Sequence, residues 1–192
     1  AANKTYTVAN NTGGMPKLPK IQINKSSNLV TVSSSDNRDI GFTSLDLVLG
    51  EFKAPTGTLR SGESNMFGSW DGGLYKDAGL FTHNSGTVYI YSRIYDNSGN
   101  TFVSTNAFWS DITGGITFNN LKVNLGGSAS TYVGHWSLAS TDVITVSGDL
   151  TIERGFMRQG TVNLYGNFIA QCVTNDSDCA NKPIRYSGAG ET

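Results

Sequence analysis

Aromatic side chains on alternate positions of a short segment are the first candidates for ligand contact. In GTVYIYS, residues 86–92, Tyr89 and Tyr91 stand on either side of Ile90. Alternate side chains of a β-strand point to opposite faces, so an inward Ile90 turns both tyrosines outward. Rings with polar tips suit stacking on sugars or contact with another protein. The same pair would also stabilise a sheet simply by packing against neighbouring strands.

The Gly-Thr-apolar phrase that opens this segment recurs twice. It returns as GTLRSG at 57–62 and as GTVNLYG at 160–166. The same alternation turns Arg60 and Tyr165 outward. Outward positions of equivalent strands lie over one another in a stacked sheet, so we expect these two residues to share the outer face of Tyr89 and Tyr91.

The tryptophans lie in longer, turn-rich insertions. Trp109 and Trp136 occur in NAFWSD and YVGHWSL, and Trp70 occurs in FGSWDGG, close to Tyr75. A tryptophan in an insertion either packs onto the core or forms a binding platform, and full exposure of its ring to water is unfavourable. We therefore expect packing for most of them, with Trp70 and Tyr75 as the candidate binding pair.

Groups for acid–base chemistry are sparse. The two histidines, His83 and His135, are far apart in the sequence, and the first is expected in a turn and the second beside Trp136. The carboxylates are scattered, and several aspartates lie in Gly- and Asn-rich segments, where Asp commonly caps turns; among these are Asp36, Asp39, Asp71, Asp77, Asp96 and Asp111. No nucleophile elbow is present. The sequence predicts no enzyme, and a polysaccharide lyase or hydrolase is the remaining enzymatic alternative.

Metal and thiol chemistry are limited to two short segments. DNSGN (96–100) and NDSD (175–178) are rich in oxygen ligands but lack the closing glutamate of a calcium loop, so no cofactor is predicted and Ca²⁺ stays an open alternative. Cys172 and Cys179 are separated by polar turn residues. This spacing predicts a local disulfide in an oxidising compartment, with two free thiols as the alternative.

The composition of the chain argues against some classes of binding partner. Of the 192 residues only 15% are charged, the net charge is −1 and no basic block stands out, which argues against nucleic acid and anionic membranes. No run of about 18 apolar residues predicts a transmembrane helix. No leader is visible at the start, so we interpret the chain as a mature or excised piece.

Period-2 alternation dominates the chain and predicts an all-β fold of short strands. Examples are IQINKSSNLVTVS, SLDLVLGEF, LKVNL and DVITVSGDLTIERG. Four blocks recur in the same order: 18–24 with 118–124, 28–33 with 142–147, 45–52 with 150–157, and 57–62 with 160–166. Ordered repetition of unequal blocks favours a single-stranded right-handed parallel β-helix, a solenoid, and the alternative is an antiparallel β-sandwich.

We expect residues 1–192 to form a single β-helix domain. It would contain duplicated units at approximately 15–92 and 112–170, followed by the cysteine loop and a last coil at 171–192.

The segments GLFTHNSGTVYIYS, FNNLKVN, ITVSGDLTIERG and GTVNLYGNF resemble the repeats of bacterial adhesin-like cell-surface β-helix proteins. The resemblance implies an extracellular or cell-surface location and a non-enzymatic structural or adhesive role. The sequence shows no obvious polar caps on the expected coils, so self-association into fibres is a further expectation. A polysaccharide-binding module that uses Arg60, Trp70, Tyr75, Tyr89, Tyr91 and Tyr165 is the alternative. The expected partners are an extracellular polysaccharide or further copies of the chain.

Overall fold

The computed structural model describes residues 4–8, 17–18, 20–34, 39–61, 73–92, 107–125 and 135–170. Over these ranges the chain forms eighteen β-strands in three sheets and no helix. The all-β prediction is confirmed. A search of the same residues for a helix that could span a bilayer accordingly finds none.

Sheet A holds β1 (Lys4–Val8), β3 (Ile21–Ser34), β5 (Ser44–Lys53), β7 (Gly73–Lys76), β10 (Ala107–Ile112), β13 (His135–Ser137) and β16 (Phe156–Arg158), with β8 (Leu80–Thr82) paired to the far end of β5. Sheet B holds β2 (Lys17–Leu18), β4 (Ile40–Phe42), β6 (Thr58–Ser61), β9 (Thr87–Ser92), β12 (Asn120–Leu125), β15 (Leu150–Arg154) and β18 (Phe168–Ala170). Sheet C holds β11 (Ile116–Phe118), β14 (Val143–Val146) and β17 (Thr161–Leu164).

Within each sheet the strands are stacked in chain order. From β10 onward the chain visits sheets A, C and B in rotation, three times in succession. Every strand pair in the described ranges is parallel, which is the opposite of what the antiparallel sandwich requires. Parallel neighbours need a long connection between them. From β10 onward strands of the other two sheets lie in this connection, whereas before β10 the chain passes between sheets A and B.

The core consists of aliphatic and aromatic side chains aligned from strand to strand. In sheet B, the register aligns Leu59, Val88, Leu121 and Leu150, which are 1 to 4% exposed. In sheet C, Phe118 and Val146 are fully buried in register. Burial of each such side chain stabilises the fold by about 1.5–3 kcal/mol, so the alternation of the sequence becomes a continuous core.

Glycines allow successive corners to stack directly on one another. A Cβ at Gly86 would overlap the carbonyl oxygens of Pro55 and Gly57, which belong to the corner of the preceding turn of chain. The adjacent amide of Thr87 donates to the Gly57 carbonyl at 3.0 Å. At Gly86 the glycine of the Gly-Thr pair is thus explained by a close approach of backbones that a side chain would block, whereas at Gly160 the backbone has a positive φ of 71°.

The four sequence-matched blocks do not occupy equivalent places. Residues 28–33 belong to sheet A, whereas 143–146 belong to sheet C; likewise β6 lies in sheet B and β17 in sheet C. Similar alternation and similar glycines at turns occur in all three sheets. Sequence similarity therefore does not show to which sheet a segment belongs.

Candidate functional site

Six side chains form a connected network on the outer face of sheet B, which we call the Glu153 cluster. Its members are Arg60, Tyr89, Tyr91, Lys122, Asn124 and Glu153. The register of three neighbouring strands aligns Arg60 with Tyr89 and Tyr89 with Lys122, and it aligns Tyr91 with Asn124. Their inward neighbours are core aliphatics, so alternation alone turns these side chains outward.

Glu153 joins the network through a β-bulge. Val123 is aligned with Ile152, but the next residue, Asn124, is aligned with Arg154. Glu153 is therefore the extra residue of β15, and a bulge of this kind re-aims a side chain.

The Glu153 carboxylate is the centre of the network. The ammonium of Lys122 lies 2.6 Å from Oε1. The Tyr89 hydroxyl donates to Oε2 at 2.8 Å, and the Asn124 amide donates to the same oxygen at 3.0 Å. The network thus ties β9, β12 and β15 together across their outer surface.

These contacts fix the protonation states. Burial by itself raises the pKa of Glu153, but hydrogen bonds from Lys122, Tyr89 and Asn124, with the charge of Lys122, lower the pKa overall. Burial, followed by the hydrogen bond and the negative charge of Glu153, raises the pKa of the Tyr89 phenol. At neutral pH the carboxylate is ionised and the phenol keeps its proton.

The two tyrosine rings of the cluster contact cations. The Arg60 guanidinium lies 3.7 Å from the Tyr91 ring centroid and 5.2 Å from that of Tyr89. The Lys122 ammonium lies 5.0 Å from the Tyr89 centroid. The rings are 5.6 Å apart at 60° to each other, so they do not form one flat platform for a sugar.

The chemistry open to this cluster follows from its composition. Hydrolysis of a glycosidic bond uses two carboxyl groups, one of them protonated. The cluster contains one carboxylate, and three donors keep it ionised. Its hydrogen bonds and its ion pair connect three neighbouring strands.

Tyr165 lies apart from the cluster, and the expectation that it shares the face of Tyr89 is wrong. It follows β17 of sheet C, and its amide donates to the Val146 carbonyl at 2.9 Å. Its side chain is 77% exposed. The segment GTVNLYG leads into β17 of sheet C, whereas the similar segments that begin at residues 57 and 86 lead into β6 and β9 of sheet B.

Tyr75 lies on sheet A, also away from the cluster. The register places it between Asp46 of β5 and Asp111 of β10. A Cβ added at Gly73 would be 2.5–2.8 Å from the Tyr75 ring and hydroxyl, so the ring lies over the Gly73 backbone. The side chain is 37% exposed. Asp111 is a strand residue and not a turn residue, which corrects the expectation that it only caps a turn.

The structure describes some of the remaining predicted residues and not others. Trp136 is fully buried, and its indole N–H donates to the Ser110 hydroxyl at 2.7 Å, so the packing prediction is confirmed for this residue. His83 accepts a hydrogen bond from the Ser85 amide within a turn, as predicted. Trp70, Cys172 and Cys179 lie outside the described residues, as do the segments 96–100 and 175–178.

His135 lies next to Trp136 on β13 and stacks on Phe156 at 5.5 Å. Burial, together with the charge of Arg158, lowers the pKa of its imidazole. In the described part of the chain, no group of three or more His, Cys, Asp or Glu residues is placed to hold a metal ion.

Sequence reasoning missed Lys122, Asn124 and Glu153. Alternation in FNNLKVN, with Leu121 and Val123 inward, was a sufficient signal for the first two. Alternation in DLTIERG, with Leu150 and Ile152 inward, turns Glu153 outward in the same way, but the bulge that sets its register against β12 has no signal in the sequence.

The chain matches no protein-family model, no curated protein and no solved structure.

Proposed function

We propose that this chain is a non-enzymatic structural and adhesive module of an extracellular or cell-surface bacterial protein, built as a right-handed single-stranded parallel β-helix. The rotation of the chain through sheets A, C and B, with parallel pairing at each step, supports the β-helix. The right hand follows from the general preference of parallel crossovers. The resemblance of the repeats to adhesin-like surface proteins supports the location and the role.

The Glu153 cluster is the observation that carries the structural role. In this cluster the charged and aromatic side chains of one outer face contact one another across the neighbouring strands β6, β9, β12 and β15. A catalytic face would instead keep a carboxylate and a proton donor available to substrate. The cluster stabilises the stacking of coils, which is the requirement of a stalk or spacer.

Turnover assays test this role. The purified chain is incubated with pectin, alginate and other uronans, and products are measured as reducing ends and unsaturated uronates. We expect no release above that of a heat-denatured sample. Release that grows with protein concentration, and that disappears in Glu153→Gln, would overturn the proposal.

Polysaccharide binding is a second candidate, supported by the surroundings of Tyr75. The Tyr75 side chain is 37% exposed and is flanked in register by Asp46 and Asp111, whose carboxylates are the acceptors that sugar hydroxyl groups require; Oδ2 of Asp46 also accepts from the Gln22 amide at 2.7 Å. Two carboxylates repel uronates, so the ligand would be a neutral glycan such as a cellulose-like chain.

Retention on insoluble neutral glycans tests this candidate. We expect Tyr75→Ala to lose retention, whereas Tyr165→Ala keeps it, since Tyr165 is more exposed but belongs to another sheet. Equal retention of wild type and Tyr75→Ala would exclude the Tyr75 surface.

A further inference from the structure

We propose that the outer face of sheet A binds an unbranched, extended neutral glycan of the β-1,4-linked kind, which lies across the strands with neighbouring sugars on neighbouring strands. The inference rests on the polysaccharide-binding candidate above. It adds the direction of the glycan, the length that the surface accommodates and the residues at the two ends. The surface is formed by Gln22, Asp46, Tyr75 and Asp111, which we call the Tyr75 row.

The Tyr75 row crosses four neighbouring strands of sheet A at the same level. The register aligns Gln22 of β3 with Asp46 of β5. It aligns Tyr75 of β7 with Asp46 on one side and with Asp111 of β10 on the other. The residues next to the row in the chain include buried core side chains, so alternation turns the row outward. These core residues are Ile23, Leu45, Leu74 and Ile112.

The row presents to solvent the groups that a neutral sugar chain requires. Gln22 and Asp111 are exposed, Tyr75 is 37% exposed and Asp46 is half-buried. Carboxylate and amide oxygens accept hydrogen bonds from sugar hydroxyl groups, the amide also donates, and a tyrosine ring packs on the C–H face of a pyranose. The 2.7 Å hydrogen bond from Gln22 to Asp46 holds two members of the row side by side before any ligand arrives.

The outer faces of the other two sheets lack this combination in their described residues. In sheet B, three donors already contact the Glu153 carboxylate, and the Arg60 guanidinium lies 3.7 Å from the centroid of the Tyr91 ring. In sheet C, the register aligns two threonines and an asparagine, none of which is aromatic; they are Thr117, Thr145 and Asn163. Sheet A therefore offers the best match to a glycan.

The spacing of the row fits the repeat of such a glycan. Neighbouring strands lie about 4.8 Å apart, so four aligned side chains span roughly 14 Å. One pyranose of an extended β-1,4-linked chain advances by a distance close to one strand spacing, so a sugar on one strand places the next sugar on the neighbouring strand. The next strand, β13, is paired with β10 only at the level of Ala107 to Trp109. The row therefore accommodates about four sugars, one for each strand that it crosses.

Calorimetric titration of the purified chain with cello- and manno-oligosaccharides of increasing length tests the direction and the length. We expect the affinity to rise about tenfold from the disaccharide to the tetrasaccharide and to change less than about twofold for longer chains. An affinity that is already constant from the disaccharide onward, or that keeps rising through the hexasaccharide, would overturn the proposal. Tighter binding of oligouronates than of neutral oligosaccharides would overturn it as well.

Asp111→Ala removes one end of the row. We expect it to weaken tetrasaccharide binding about fivefold and to leave trisaccharide binding nearly unchanged, because three sugars still fit on the other three strands. The matched control is Asp77→Ala, at an exposed carboxylate in a turn outside the row, which should bind as wild type. Gln22→Ala removes the opposite end and replaces the first variant if circular dichroism shows that Asp111→Ala does not fold. Equal losses in Asp77→Ala, or wild-type tetrasaccharide binding in a folded end variant, would contradict the row.

The row and the binding candidate on which it rests fail in different ways. Retention on insoluble neutral glycans that requires Tyr75, but an affinity that depends neither on glycan length nor on Asp111, defeats the row and leaves polysaccharide binding in place. Lack of retention on insoluble glycans, together with no heat signal for any oligosaccharide, defeats polysaccharide binding itself and the row with it.

Discussion

Glu153 shows how one side chain organises an outer surface. Its carboxylate accepts contacts from residues of two other strands, and the tyrosine among them lies two strands away. Such a group stabilises the sheet only while it is ionised, because a neutral carboxyl would lose the Lys122 pair and weaken the other two bonds.

Replacement of Glu153 by glutamine should lower the free energy of unfolding by about 1 kcal/mol. The amide keeps an oxygen for Tyr89 or Asn124 but loses the charge that pairs with the partly exposed Lys122. Urea denaturation followed by circular dichroism measures the change. The control Asp77→Asn, an exposed carboxylate in a turn, should remain within about 0.5 kcal/mol of wild type; equal losses in both variants would contradict the central role of Glu153.

The same residue predicts an acid dependence. The folded state lowers the pKa of Glu153 below its unfolded value of about 4.3. Its contribution is therefore fully present above the unfolded pKa and is lost as pH falls through the folded pKa. Wild type should be more stable than Glu153→Gln at pH 7. The difference in unfolding free energy between the two proteins should disappear as the pH falls below about 4. A gap that stayed constant with pH would show that the charge is not the stabilising feature.

At the scale of elements, the turns that connect strands set how closely neighbouring segments approach. Gly86 and Gly166 both lie where an added Cβ would overlap a backbone carbonyl of an earlier segment, that of Gly57 and that of Gly148 respectively. Backbone atoms cannot move aside as the end of a flexible side chain can, so the corner has to shift as a whole.

Gly86→Ala should therefore destabilise the protein by about 1–3 kcal/mol, although alanine is a small change. Thermal unfolding followed at 218 nm measures the effect. Ser147→Ala, at an exposed position of a later corner, serves as control and should leave the midpoint nearly unchanged. A Gly86→Ala protein as stable as wild type would mean that the corners do not need this close stacking.

At the scale of the whole molecule, burial depends on how many neighbouring strands cover a residue. Val146 of β14 and Leu164 of β17 are aligned in register, yet the first is fully buried and the second only partly. Val162 of β17 is also partly buried and allows a comparison of one residue type at two depths.

Val146→Ala should cost about 2 kcal/mol of unfolding free energy, and Val162→Ala less than about 1 kcal/mol. The reason is that removal of a side chain leaves a cavity only where neighbouring strands enclose it. Guanidinium titrations of both variants give the comparison. Equal costs would contradict the difference in enclosure between β14 and β17.

The sequence by itself determined the strands, their inward and outward faces and the all-β class, because alternation is a local property with a period of two. Leu59, Val88 and Ile90 are buried, and Arg60 and Tyr89 are on the outer face, as this pattern predicts.

Only the tertiary structure decided which outward residues meet. Tyr165 repeats the local pattern of Tyr89 but belongs to a corner of another sheet, and Glu153 enters the cluster through a bulge. The physical reason is that alternation fixes the face of a residue within its own strand. The strand it will lie beside depends on the lengths of the intervening segments and on the register between segments far apart in the chain.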